Sequence, residues 1–187
     1  MPCSELLENV TGEFLLLRGD ETDKATRDLL AGVVREGMTK LLESAAEKDG
    51  DRSFLDGLAT LEDSLAESSR RNILLFKDGT RAPESLAAFA SVDFEAVDAE
   101  EPELGMCCYV VEFHVLPECR RKGFGTRLMD ACVEIARRGG ARCLRLTCAK
   151  NNRRALAFCA VCDFVLDRDS PPARAQKSYV ILCRKAL

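Results

Sequence analysis

Apolar positions recur along this chain with two periods, and the two alternate. "FLLLR" (14–18) is a short apolar run inside a Gly- and Asp-bounded segment (12–20), so it predicts a strand. Residues 23–48 carry Leu29, Val33, Met38, Leu41 and Leu42 at helical spacing, and the Asp-Gly-Asp at 49–51 breaks that pattern. Phe54, Leu58, Leu61 and Leu65 predict a second amphipathic helix over 53–69. Residues 72–76 and 85–95 read as strands, and "MCCYVVEFHV" (106–115) is β-branched, aromatic and Cys-rich, hence a buried strand. The helix after it has Leu128, Met129, Cys132, Ile135 and Ala136 on one face, with Arg127, Asp130, Glu134, Arg137 and Arg138 elsewhere. Gly139 and Gly140 close it. Leu144, Leu146 and Cys148 alternate along the next strand, and Asn152 caps a helix running to Cys162. Strands at 164–169 and 178–186 flank a Pro-containing connection. The order β-α-α-β-β-β-α-β-α-β-β predicts an α/β protein with a mixed sheet.

The length of 187 residues fits one domain, and 47% hydrophobic residues are enough for a sizeable core. A formal net charge of −4 argues against non-specific nucleic-acid binding. No apolar stretch reaches the length of a membrane span, and the start, "MPCSELLENV", has no apolar signal region. Many of the ten cysteines lie in apolar runs, where a reduced thiol packs as a small hydrophobe. A reducing cytoplasm or nucleus is the expected compartment. "CAVC" (159–162) is one CxxC without a second, and His114 is the chain's only histidine, so no metal site is expected. The six acidic residues within 93–103 read as a solvated loop.

One segment departs from the acidic balance. A buried strand feeds "RRKGFG" (120–125), and a helix follows at once. The first turn of a helix has unpaired N–H groups and a partial positive charge, and glycine lets a backbone approach an anion closely. Arg120, Arg121 and Lys122 add charge, so the turn suits a pyrophosphate. The spacing is neither GxxxxGK[ST] nor GxGxxG. Taken alone, the turn is equally compatible with a tight connection.

Arg120-x-x-Gly123-x-Gly125 after a strand resembles the acetyl-CoA motif of the GNAT acetyltransferase superfamily. "LTCAKNNRRALAFCAVCDF" is similar to that superfamily's next strand and helix. The blocks "YVVEFHVLPECRRKGFGTRLM", "LTCAKNNRRALAFC" and "DRDSPP…SYVILCRK" resemble its N-alpha-acetyltransferase D branch, which acetylates the N termini of core histones. The likeness is close from Tyr109 onward and weak before Ser85. It implies one domain over 1–187, with 85–187 as the acetyl-CoA core and 1–84 as the helical, substrate-wrapping part. The implied fold is a mixed sheet of about seven strands flanked by about four helices. The implied partner is a basic histone-type tail, met by a monomer in cytoplasm and nucleus, with no nucleic acid, membrane or metal.

The same resemblance implies roles residue by residue. The backbone of Phe113, His114, Val115 and Leu116 pairs with the pantetheine arm. The amides from Lys122 through Gly123, Phe124, Gly125 and Thr126 to Arg127 hold the pyrophosphate, and Thr147 and Asn152 line the cofactor. Asp93 and Glu95 hold a basic third residue of a Ser-Gly-Arg-Gly tail. Tyr109, Val111, Asp169 and Tyr179 surround the tail, and Val111 stands where the family has a tyrosine.

Glu112 is the one acidic residue in its apolar run, where a charge is stable only if paired or facing a cleft. It matches the family's general base; a glutamate paired with a buried Arg, or one on an exposed strand face, are the structural alternatives. Tyr109 and Glu112 would face opposite ways on a regular strand, and the family's bulge here implies that both reach the cleft. Cys159 or Phe158 occupies the position of the tyrosine general acid used by many members. No Trp occurs in the chain and no Tyr in residues 40–65, where the histone branch carries both. Acetylation of a lysine side chain, another N terminus or a small amine, or acyl-CoA binding without catalysis, therefore stand as alternatives.

Overall fold

The computed structural model of the chain describes residues 13–96 and 105–185. Strand β1 (Phe14–Arg18) leads through one 3-10 turn into helix α1 (Lys24–Asp49), followed by α2 (Ser53–Ala59) and α3 (Leu61–Ala66). Strands β2 (Arg71–Phe76), β3 (Leu86–Ala96) and β4 (Met106–Val115) come next. The rest alternates α4 (Phe124–Arg138), β5 (Ala141–Ala149), α5 (Arg153–Val161), β6 (Val165–Leu166) and β7 (Tyr179–Lys185). The seven strands form one sheet in the order β1-β2-β3-β4-β5-β7-β6. Among the described strands only β4 and β5 pair in parallel, as a strand-helix-strand crossover through α4 requires.

Local chemistry sets the boundaries. The Asp23 carboxylate accepts the Thr26 N–H at 2.8 Å and caps α1, which stops at Gly50 with φ 72°. The helix expected over 53–69 is divided at Thr60 (φ −110°, ψ 19°), giving five α-helices among the described residues. The division turns Leu61 and Leu65 into the core beneath α1. The strand expected over 164–169 shortens to two residues. There the Asp167 carboxylate accepts the Asp169 N–H at 2.8 Å and its carbonyl the Ser170 N–H at 3.1 Å, so the chain turns. The middle of the acidic run (97–104) lies outside the described residues.

Each face of the sheet has its own core. On one face α4 packs Leu128, Met129, Cys132, Ile135 and Ala136 against Ala88, Ala90, Val92, Cys108, Val110, Leu144 and Leu146. On the other, α1 and α3 place Leu30, Val34, Leu61 and Leu65 against Leu74, Phe76, Leu86 and Phe89. The nine described cysteines are free thiols and eight are buried, as their apolar contexts predict. Burial pushes the Cys132 thiol up to about 12, so it stays protonated and acts as core.

The end of α1 is tied to the far end of the chain. Ser178 N–H donates to Asp49 at 2.7 Å, Lys177 pairs with Asp51 at 2.8 Å, and the Phe54 ring meets Tyr179 edge-on at 5.4 Å. Hydrogen bonds from the Ser178 hydroxyl and amide hold the Asp49 carboxyl below its ordinary range, and the Lys177 ammonium does the same for Asp51.

Two outcomes follow from this packing. Leu128→Ala, at a fully buried site, is expected to cost about 2–5 kcal/mol, read by urea unfolding. A carboxyl held below its free value contributes stability above that value and loses it as pH falls toward the lowered one. The Ser178 amide should therefore be protected at neutral pH, relative to its intrinsic exchange rate, and lose protection below about pH 4. Asp49→Ala should remove the protection at neutral pH; an amide equally protected in that variant would show that the tie is not what orders the segment.

Candidate active site at the split between two parallel strands

The candidate site begins with a register shift in β4. Ser91 pairs with Glu112 but Val92 with Val110, which leaves Val111 as the extra residue of a β-bulge. The alternation of side chains therefore changes phase. Cys108 and Val110 before the bulge, and Phe113 and Val115 after it, all belong to the α4 core. Tyr109, Glu112 and His114 consequently share the opposite face, under α1. The bulge implied by the resemblance is present, and it brings together two residues that a regular strand would separate.

The bulge also ends the pairing with β5. Register contacts run from Met106/Ala141 to Val110/Leu146, whereas β4 continues to Val115 and β5 to Ala149. A notch opens between residues 111–115 and Thr147–Ala149, edged by backbone groups that neither strand supplies to the other. The Tyr109 hydroxyl bonds the Thr147 hydroxyl at the head of this notch. Burial raises the Tyr109 phenol above its ordinary value, so it stays protonated at neutral pH.

At the foot of the notch two helix N-termini converge. Arg120 Nε donates to the Val115 carbonyl at 3.0 Å and fixes the turn against the end of β4. Arg121 (φ 63°) and Gly123 (φ 86°) take left-handed conformations, a turn geometry of the kind that can aim successive amides at one anion. The first bond of α4 runs from Arg127 N–H to the Gly123 carbonyl at 3.1 Å. The Phe124, Gly125 and Thr126 amides are thus without intrahelical partners, while the Arg127 amide is engaged. The Arg127 side chain turns away from the notch, pairing with Glu13 and lying over the Phe14 and Phe124 rings. A Cβ on Gly125 would stand 3.4 Å from the Phe158 ring and 3.5 Å from Val115, so the first turn of α4 lies close to α5 and the end of β4. The Phe158 ring itself stacks on Phe113 at 5.6 Å. Asn152 accepts the Ala155 N–H at 3.2 Å as the cap of α5, which leaves its side-chain amide to donate. An anion with an amide-bearing arm fits these residues: the amides and basic side chains suit the anion, and the notch edge suits the arm.

Glu112 is partly buried and, among the described residues, pairs with no arginine. Its Oε2 lies 2.7 Å from His114 Nε2, so His114 contributes its side chain and not its backbone alone. Ser91, the register partner of Glu112, is buried, and its hydroxyl has no hydrogen-bond partner among the described residues. Asp93 and Glu95 follow along the same face of β3. Asp93 already accepts from Ser69 at 2.9 Å and has Arg70 at 3.9 Å, whereas Glu95 is exposed and, among the described residues, meets the Cys107 thiol at 3.5 Å. Asp169 pairs with Arg145 at 2.9 Å, and Arg145, the register partner of Tyr109, also holds Asp167 at 3.0 Å. Tyr179 stands on the far wall against Phe54. Phe54, Ser91, Arg145 and the Asp49–Ser178 tie were not legible beforehand; only Phe54 carried a signal, as the lone aromatic in residues 40–65. Among the described residues no group of His, Cys, Asp and Glu could hold a metal ion.

Comparison with known proteins gives this geometry a family. Residues 35–164 match the model described as the acetyltransferase (GNAT) family. No curated protein sequence matches the chain. Among solved structures it is similar to nourseothricin acetyltransferase, at 22% identity and a TM-score of 0.50, covering 64% of this chain and 66% of that one. It is also similar to Arabidopsis thaliana NAA60 in complex with a bisubstrate analogue, at 12% identity, a TM-score of 0.60 and coverage of 92% and 97%. The NatC complex bound to Gag peptide and CoA is similar at 11% identity, a TM-score of 0.57 and coverage of 92% and 98%. At such identities these likenesses concern the fold. The family match takes in most of α1, the bulged strand, the basic glycine turn and both helices at the notch, and so the chain belongs to the acetyltransferase (GNAT) family.

Proposed function

We propose that the protein transfers acetyl from acetyl-CoA to the free N-terminal amine of a basic protein tail of the Ser-Gly-Arg-Gly type, as core histones carry. The observation that carries this reading is the shared face of Glu112, Asp93 and Glu95 beside the β4–β5 notch. Acetyl-CoA supplies the acetyl group as an activated thioester. The β4 edge at residues 113–116 holds its arm, the amides of residues 122–126 hold its pyrophosphate, and Thr147 and Asn152 complete the lining. The similar NatC structure, bound to a peptide and CoA, supports a peptide acceptor.

Glu112 takes the proton that the acceptor amine must lose. A terminal α-amine, with an ordinary value of about 7.7–8.0, needs less help than a lysine at about 10.4. Glu112 lies two residues along the face from Asp93, about 7 Å, and Glu95 lies about 14 Å away. In an extended peptide whose amine meets Glu112, the third residue stands about 7 Å onward. Its side chain therefore reaches the stretch between Asp93 and Glu95, where a guanidinium is matched by carboxylates. Because Asp93 is shared with Arg70 and Ser69, Glu95 is the freer of the two. Phe54 and Tyr179 form the aromatic wall on the other side.

Glu112→Gln is expected to bind acetyl-CoA with unchanged affinity by calorimetry and to turn over about 10²–10⁴-fold more slowly. Near wild-type turnover would mean that the amine enters already neutral. For the acceptor, mass spectrometry of a peptide beginning Ser-Gly-Arg-Gly against one beginning Ser-Gly-Ala-Gly should show at least a tenfold preference for the first. Asp93→Asn combined with Glu95→Gln should erase most of that preference. An α-acetylated tail with free lysines should stay unmodified; reaction on its lysines would make the enzyme a side-chain acetyltransferase.

A further inference from the structure

Glu112 and His114 stand two residues apart on the α1-facing side of β4, and their side chains are 18% and 12% exposed. The imidazole is held on two sides. Its ring stacks on Phe89 at 5.3 Å and 20°, and its Nδ1 faces α1 at Gly37, where a Cβ would stand 3.8 Å away. An ionised carboxylate only accepts hydrogen bonds, so Nε2 carries the proton and donates to Glu112 Oε2 across 2.7 Å. That bond fixes one carboxylate oxygen and leaves Oε1 for another partner. A glutamate side chain otherwise has several rotamers to choose among, and a base must stand within hydrogen-bond reach of its proton.

We infer that His114 is a positioning residue: it clamps the Glu112 carboxylate in the orientation from which Oε1 takes the proton of the acceptor amine. The inference rests on Glu112 being the base. A packing role alone would need the ring's shape but not its donor. The two roles separate because glutamine can present an N–H near the ε position whereas leucine cannot.

The test is steady-state kinetics of His114→Leu and His114→Gln with acetyl-CoA and a Ser-Gly-Arg-Gly peptide, alone and in a Glu112→Gln background. His114→Leu should lower kcat roughly ten- to hundredfold, the worth of a hydrogen bond to a charged group, with both KM values within about twofold. His114→Gln should restore most of the turnover, and His114→Leu should add little once Glu112 is already Gln. Because His114 is the only histidine, its ring nitrogens are assignable directly by 15N NMR. The wild type should show the Nε2–H form with a hydrogen-bonded proton resonance that Glu112→Ala removes. Equal losses in the Leu and Gln variants, an Nδ1–H ring, or a ring signal indifferent to Glu112→Ala would each overturn the assignment. If Glu112→Gln is slow while His114→Leu is not, the clamp fails and the base stands; if neither is slow, the base reading fails with it. The NMR signature needs only the wild type and Glu112→Ala, so it decides the matter even where His114→Leu does not fold.

Discussion

A single extra residue in one strand organises the functional end of this molecule. Val111 has no partner on β3, and around it β4 changes the phase of its side chains and parts from β5. Both effects come from the same geometry, since a bulge adds one residue to the side-chain alternation and increases the local twist. Without it, Glu112 would point into the α4 core, where an unpaired carboxylate costs several kcal/mol. With it, the apolar residues 113 and 115 stay in that core and the carboxylate emerges beside a slot between two strands. The position of the Glu112 carboxylate and the opening between β4 and β5 are therefore one structural fact.

The second constraint is the meeting of two helix N-termini at the foot of that slot. The first turn of α4 lies against Phe158 of α5 at Gly125, and Asn152 starts α5 at the end of β5. Parallel strands with helices following each bring positive helix ends to their carboxyl edge, which is where open α/β sheets bind ligands. The basic turn adds charge where the dipoles already favour an anion.

Much of this was legible in the sequence because it is local. The caps at Asp23 and Asn152, the stop at Gly50, the apolar face of α4 and the strand–glycine turn–helix unit are each set by residues within a few positions of one another. The buried thiols were legible for the same reason, each lying inside an apolar run. What the sequence hid is long-range or depends on one residue of register. Nothing in "YVVEF" alone says that Val111 rather than Val110 is the extra residue, and the resemblance supplied that bulge, not the pattern. The His114–Glu112 bond follows from the altered alternation and was invisible while His114 counted only through its backbone. Asp93 and Asp169, expected to face the acceptor, spend part of their charge on Arg70 and Arg145, contacts that no spacing rule reveals.

The tie between the end of α1 and the start of β7 also bears on when the site comes into being. Asp49 and Asp51 meet Ser178 and Lys177 across 126 to 129 residues of chain. At roughly 5–20 residues per second, the residues of α1 leave the ribosome many seconds before their partners exist. Until β7 is added beside β5, the helix that covers Glu112 lacks this tie. A nascent copy therefore carries the basic turn at 120–125 before the wall formed by Phe54 and Tyr179 exists.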